Sequence, residues 1–311
     1  MAAHKTVLIT GCSDGGIGSA LAATFQQRGY HVFATARDPS KMRDLEGLPN
    51  VTFLTLDIVK SDDIKAAVEA VAKYTGGTLD CVVSNAGRNH FMPILDEDLD
   101  VVRRLFEINF IGPIALTQAF APLLIKAQGM AVYIASISGH LNIPYMGTYA
   151  ASKASIEIVA ETLRLELGPF GVGVLEVITG AVKSRGQTYF GDLKLPDQSV
   201  LSSSSPSLQG VQAARRLSFL GREDMLIGYR LYKSIESTFV SRAQGNDGVP
   251  RTNTMEYANA VVDDVVKRTS GRVWYGSNAD RVKMSTTATE VPQSAMDAGA
   301  VVGTGLDAVG K

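Results

Sequence analysis

Short apolar runs alternate with stretches of helical periodicity along most of this chain. Thr6-Val7-Leu8-Ile9-Thr10 is apolar at its centre and closed by glycine, the pattern of a parallel strand buried on both faces. Similar runs at His31 to Ala36, Val51 to Leu56, Leu79 to Ser84, Met130 to Ser136 and Val172 to Ile178 predict five further strands, and Arg272 to Tyr275 a short seventh. Helical spacing fills the intervals. Gly18 to Arg28 stops at Gly29, and Ser61 to Tyr74 starts at a serine suited to an N-cap. Glu97 to Ala127 reads as one long helix bent by Pro113, and Gly147 to Leu167 ends at Gly168-Pro169. This order predicts an α/β fold: a single doubly wound domain with about seven parallel strands, helices on both faces and right-handed crossovers.

Two segments break the rhythm. Residues 185–250 contain Leu201-Ser202-Ser203-Ser204-Ser205-Pro206 and helical stretches such as Gly221 to Ala243, which suits a lid on a flexible connector. Residues 285–311 are rich in Ala, Gly, Thr and Val, and read as a tail beyond a domain spanning 1–284.

Composition narrows the function. Of 311 residues 45% are apolar and 20% charged, which supplies a large core and excludes a disordered chain. A net charge of −1 with no basic block argues against a nucleic-acid partner. No unbroken apolar run reaches the length of a membrane span, and the first strand begins too early for a signal peptide, so a cytoplasmic protein is expected. Cys12 and Cys81 fall in or beside predicted strands and read as core thiols in a reducing compartment. No metal-ligand spacing occurs.

The candidate chemistry sits at strand ends. Tyr149 and Lys153 are four apart on a predicted helix, so both leave one face about a turn apart. A phenol titrates at ~10 and is a poor acid–base group at neutral pH, whereas an ammonium beside it favours the phenolate. The same spacing is common on ordinary helices, and its company gives it weight. Thr10-Gly11-Cys12-Ser13-Asp14-Gly15-Gly16-Ile17-Gly18 follows the first strand, where backbone amides at a helix N-terminus can approach a pyrophosphate. The second strand ends Ala36-Arg37: Ala36 stands where selectivity for NAD needs an acid, and the guanidinium of Arg37, the next residue, suits a 2′-phosphate, and hence NADP(H). Asp38 lies too far along to take the acidic role.

These features, with Asn85-Ala86-Gly87 after the fourth strand and Ser136 thirteen positions before Tyr149, resemble the short-chain dehydrogenase/reductase family over residues 5–275. The four residues between Gly11 and Gly16, one more than usual, resemble the fungal NADPH-dependent 1-acyldihydroxyacetone-phosphate reductase branch, and leave open whether Gly15 or Gly16 forms the inner turn. The resemblance implies a Rossmann-type domain. It implies cofactor contacts from Gly11, Ser13, Gly16, Ile17, Gly18, Arg37, Asp57, Ile58, Asn85, Ala86, Gly87, Tyr149, Lys153, Gly180, Val182 and Ser184. It also implies a catalytic set of Asn109, Ser136, Tyr149 and Lys153. Tyr149 would supply the proton, Ser136 would hold the reacting oxygen, Lys153 would depress the phenol, and Asn109 would hold a relay water. Ser138 is the weaker rival to Ser136. Thr179-Gly180 replaces the family's Pro-Gly, either loosening that loop or adding a hydrogen bond.

The activity implied is reduction of a ketone on a hydrophobic molecule, lipid-like or a secondary metabolite. His90, His140, Tyr145 and Tyr189 are expected to shape its pocket. Rival readings are an epimerase, dehydratase or oxidative alcohol dehydrogenase on the same scaffold, and a non-catalytic nucleotide-binding protein. Family members are often dimers or tetramers built on the helices at 97–127 and 147–167. The branch also suggests peripheral contact with lipid surfaces such as the endoplasmic reticulum or lipid droplets.

Overall fold

A computed structural model describes residues 4–195 and 236–287. The serine run, most of the Gly221 to Ala243 stretch, residues 288–311 and the side chain of Tyr189 lie outside the described part. Seven strands form one wholly parallel sheet: β1 (Thr6–Thr10), β2 (His31–Ala36), β3 (Val51–Thr55), β4 (Cys81–Ser84), β5 (Met130–Ile134), β6 (Gly173–Thr179) and β7 (Gly271–Tyr275). Their order is β3-β2-β1-β4-β5-β6-β7, so the winding reverses between β1 and β4. At such a switch point two loops diverge and leave a crevice at the carboxyl edge, where ligands of this architecture bind.

Alternate strand residues face opposite layers. Val7 and Ile9 of β1 join a core with Leu21 and Phe25 of α1 (Ile17–Gln27). Leu8, between them, joins a second core on the other face, made by α2 (Ser61–Thr75), α4 (Gly112–Ala127) and α5 (Gly147–Leu167). Burial on both faces is why the strands read as continuous apolar runs. Cys12 and Cys81 are free and buried within the first core, and burial pushes the Cys12 thiol up to about 12.

The chain departs from expectation in four places. Residues 97–127 are helical from Leu99, but the irregularity is a π-helical turn ahead of Pro113 rather than a bend at the proline. A 3₁₀ turn (Ile94–Asp96) precedes α3 (Leu99–Phe106), a π-helical turn (Glu107–Ile111) follows, and α4 then begins at Gly112. Pro113 occupies the first turn of α4, directly after the π-helical turn. The wide turn places Asn109 inward and seats Gly112 on Ile58, whose side chain would lie 2.9 Å from any added Cβ.

Second, Lys60 rather than Ser61 caps α2, without a side-chain bond; Asp62 and Asp63 supply the negative charge its N-terminus favours. Third, two helices lacked a prediction. Those are α7 (Thr254–Val266) and α8 (Ala279–Thr286). The first was readable: Asn253 accepts from the Met255 and Glu256 N–H groups, and Tyr257, Ala258, Val261, Val262 and Val265 recur at helical spacing against α1. A shorter helix, α6 (Glu236–Ala243), covers Phe91 and Phe190 through Phe239.

Fourth, the continuous helical stretch Leu99–Ala127 is long and apolar enough to cross a membrane by length and composition. Those criteria also select core helices, and α4 packs Leu116, Phe120 and Leu124 into the second core. The helices expected to carry self-association leave Leu99, Ile111 and Ile158 exposed.

Candidate active site

The glycine-rich turn leads from β1 to α1 and resolves the question its spacing posed. Gly15 takes the positive-φ position (φ 65°), and Gly16 is the N-cap of α1, with no side-chain cap on the helix. A Cβ at Gly18 would clash with the Gly11 carbonyl oxygen and Asn85 Nδ2, so this position requires close backbone approach. The additional residue turns Asp14 towards the segment after β2: its carboxylate accepts the Asp44 N–H at 2.9 Å, and Asp44 Oδ2 accepts the Gly15 N–H at 3.0 Å.

Asn85 stitches the two loops of the switch point together. Its Nδ2 donates to the carbonyl oxygens of Thr10 (2.8 Å) and Gly11 (3.2 Å), while Thr10 Oγ1 accepts the Asn85 and Ala86 N–H groups. The glycine turn and uncapped helix end fit a dinucleotide's pyrophosphate. Arg37 is exposed at the end of β2 and has no hydrogen bond or ion pair among the described residues. Asp38 is committed elsewhere: its carboxylate accepts from Ser40 N (3.1 Å) and Ser40 Oγ (2.7 Å), and these bonds hold its carboxyl below the usual range. Asp57 accepts the Val59 N–H in a local turn, and Ile58 is buried beneath Gly112.

Beyond the switch point a cavity of about 600 Å³ opens along the ends of β4, β5 and β6. Of the expected residues it gathers Ile17, Asn85, Gly87, Ser136, Tyr149, Lys153, Gly180, Val182 and Ser184. The expected cofactor residues Gly11, Ser13, Gly16, Gly18, Arg37 and Asp57 belong to the β1–β3 half of the edge and do not line it.

Tyr149 and Lys153 leave α5 into this cavity. Lys153 Nζ donates to the Ile134 carbonyl oxygen at the end of β5 (2.8 Å). Burial lowers its pKa to about 8, and the Glu157 carboxylate, one turn further on, pulls in the opposite direction. Tyr149 departs from expectation. Burial raises its pKa, the hydrogen bond with Ser136 opposes this, and the Glu157 charge adds to the rise. Lys153 is not among the groups that offset this rise, so in this state the phenol is held protonated rather than acidified.

Ser136 caps a 3₁₀ turn (Ile137–His140), its Oγ lies 2.7 Å from Ser138 Oγ, and both serines line the cavity with Tyr149. The buried Asn109 side chain is a clamp. Its Nδ2 donates to the Arg88 carbonyl oxygen (2.9 Å) and Ser152 Oγ (3.0 Å), and its Oδ1 accepts the Arg88 N–H (2.8 Å). Both amide hydrogens are committed, which leaves the main chain and one oxygen lone pair for any relay water. Thr179, where the family has proline, does add a bond: its hydroxyl lies 2.6 Å from the Tyr257 hydroxyl and ties β6 to α7.

Of the residues expected to shape the pocket, His90, His140 and Tyr145 do not line it. His90 Nε2 pairs with Glu97 at 2.6 Å. His140 Nε2 lies 2.9 Å from Glu157 Oε2, at an angle too bent for a hydrogen bond, with its ring 4.8 Å from that of Trp274. Tyr145 packs on Phe91 and Phe239. The wall itself is Phe91, Ile137, Leu141, Ile143, Met146 and Val249. Arg88, Leu141, Ile143, Arg242 and Arg281 carried no motif, and their place follows only from the fold.

Comparison with known proteins agrees with this geometry. The family model for short chain dehydrogenases matches residues 5–192. Short-chain dehydrogenase PC-15 of Penicillium crustosum is 41% identical over 276 residues, covering 89% of this chain and 90% of that protein. An NADPH-dependent 1-acyldihydroxyacetone phosphate reductase of Schizosaccharomyces pombe is 40% identical over 188 residues, 60% of this chain and 63% of that protein. A metagenomic short-chain oxidoreductase solved in complex with NADP is 30% identical with a TM-score of 0.54, over 58% of this chain and 85% of that one.

Proposed function

This chain belongs to the short-chain dehydrogenase/reductase family, and from that membership we propose that it reduces a ketone on a hydrophobic small molecule to a secondary alcohol, with NADPH as the hydride donor. The observation that carries this reading is the Tyr149 phenol, protonated and set beside Ser136 in an apolar-walled cavity. Reduction places growing negative charge on a carbonyl oxygen, which needs preorganised donors. Tyr149 and Ser136 supply two hydroxyls from fixed positions. A secondary alkoxide is far more basic than a phenolate, so proton transfer from Tyr149 runs downhill even with its pKa raised.

When bound, NADPH supplies the hydride. Gly11, Gly16, Gly18 and the α1 N-terminus would take its pyrophosphate, and Lys153 its nicotinamide ribose. Arg37 would take the 2′-phosphate, because Asp38 is turned into its own turn. The NADP complex of the metagenomic relative and the NADPH dependence in the yeast relative's name support the same choice. The apolar wall suits a lipid-like or polyketide-like ketone.

NADPH consumption over a panel of such ketones, followed by absorbance, tests the reading; conversion of substrate without net NADPH consumption would sink it. In the same assay Arg37→Ala should lower the preference for NADPH over NADH by about 10-fold or more, the worth of a charge-assisted hydrogen bond. An unchanged preference would remove the 2′-phosphate from Arg37.

A further inference from the structure

We propose that the substrate carries an anionic group, a carboxylate or phosphate remote from its carbonyl, which Arg242 and Arg281 hold at the cavity. This inference rests on the reductase reading and narrows its substrate class. The chain as a whole carries a net charge of −1. Its cavity does not share that balance: among the described residues Arg88, Lys153, Arg242, Arg251 and Arg281 line it, against the one carboxylate of Asp247. Two of the cations are accounted for. Lys153 donates to Ile134, and Arg251 Nη2 contacts both Asp247 oxygens at 3.0 Å.

Arg242, in the last turn of α6, and Arg281, in the first turn of α8, have no hydrogen bond or ion pair among the described residues. Local helix electrostatics explain the first but oppose the second, because a cation near a helix N-terminus faces the positive end of the dipole. Both guanidiniums share the cavity with the apolar side chains Leu141, Ile143 and Met146. They stand apart from the glycine-rich turn and Arg37, which do not line it except through Ile17. An apolar wall with unpaired cations beside it matches an amphiphile whose apolar body fills the cavity and whose anion pairs with a planar fork. Excess positive charge in a cleft also draws anions in and weakens with salt.

The test compares matched ligands. A long-chain keto acid, its methyl ester and the corresponding keto-alkyl phosphate are assayed with NADPH on the wild type, Arg242→Gln, Arg281→Gln and the double variant. The expected result is a kcat/KM roughly 10-fold or more higher for the anions than for the ester, residing in KM. That preference should fall towards unity in the double variant and shrink with added salt. A wild type that uses ester and acid equally, or a double variant that keeps the full preference, overturns the inference. The ratio of phosphate to acid distinguishes the two headgroups. A binding arm separates this failure from that of the reductase reading. Dodecyl phosphate and dodecanol are titrated calorimetrically into the NADP⁺-loaded protein. If no ketone consumes NADPH the reductase reading falls, and dodecyl phosphate binding no tighter than dodecanol still overturns the anion site.

Discussion

Tyr149→Phe is expected to lower kcat for ketone reduction by about 100- to 10,000-fold, the usual worth of a positioned general acid. Phenylalanine keeps the ring and its packing, so the variant removes one hydroxyl from a half-buried position without opening a cavity. The carbonyl oxygen loses its proton source, while Ser136 keeps its bond with Ser138. NADPH affinity should change little, because the glycine-rich turn, Arg37 and Lys153 remain. Single-turnover kinetics read the chemical step, and nucleotide fluorescence reads the binding. If the variant retains a tenth of wild-type kcat, the proton comes from elsewhere. Ser136 and Ser138 are the hydroxyls that also line the cavity beside it.

Much of this site was legible because its parts depend on backbone shape and helical spacing. The glycine-rich turn needs small residues after a strand, and Tyr149 and Lys153 need only a helix beneath them. What the turn's spacing left open was settled by tertiary contacts: Asp14 is drawn to the segment after β2, which puts Gly15 at positive φ. The π turn at Glu107–Ile111 was invisible for a similar reason. Its inserted residue serves Asn109, whose partners Arg88 and Ser152 come from a distant loop and helix. His90 and His140 follow strand ends, where pocket residues gather, yet each is drawn to a buried carboxylate that periodicity alone assigns to a helix face. The acidification expected of Tyr149 failed on direction. Four residues on a helix put both groups on one face, but burial dominates the phenol.

Lys153→Met is expected to cost activity and gain stability together. Turnover in the reduction direction should fall about 100-fold or more if, as proposed, this cation would meet the nicotinamide ribose and support proton transfer at Tyr149. Stability should move the other way. Burial lowers the Lys153 pKa from 10.5 to about 8. The folded state therefore binds this proton more weakly than the unfolded state does. The penalty for burying the cation is full below pH about 8 and disappears as pH rises from about 8 to about 10.5. Methionine fills similar volume without charge. Removing a penalty of about 3 kcal/mol, less about 1 kcal/mol for the lost bond to Ile134, leaves roughly 2 kcal/mol in favour of the variant at neutral pH. Denaturant unfolding of the nucleotide-free protein should show that gain at pH 7 and a smaller one at pH 10. The wild-type kcat/KM for reduction should decline above pH about 8 as the ammonium is lost. A variant less stable than wild type at pH 7 would show that Lys153 is held for the fold, and an alkaline limb surviving in its residual activity would assign that limb to another group.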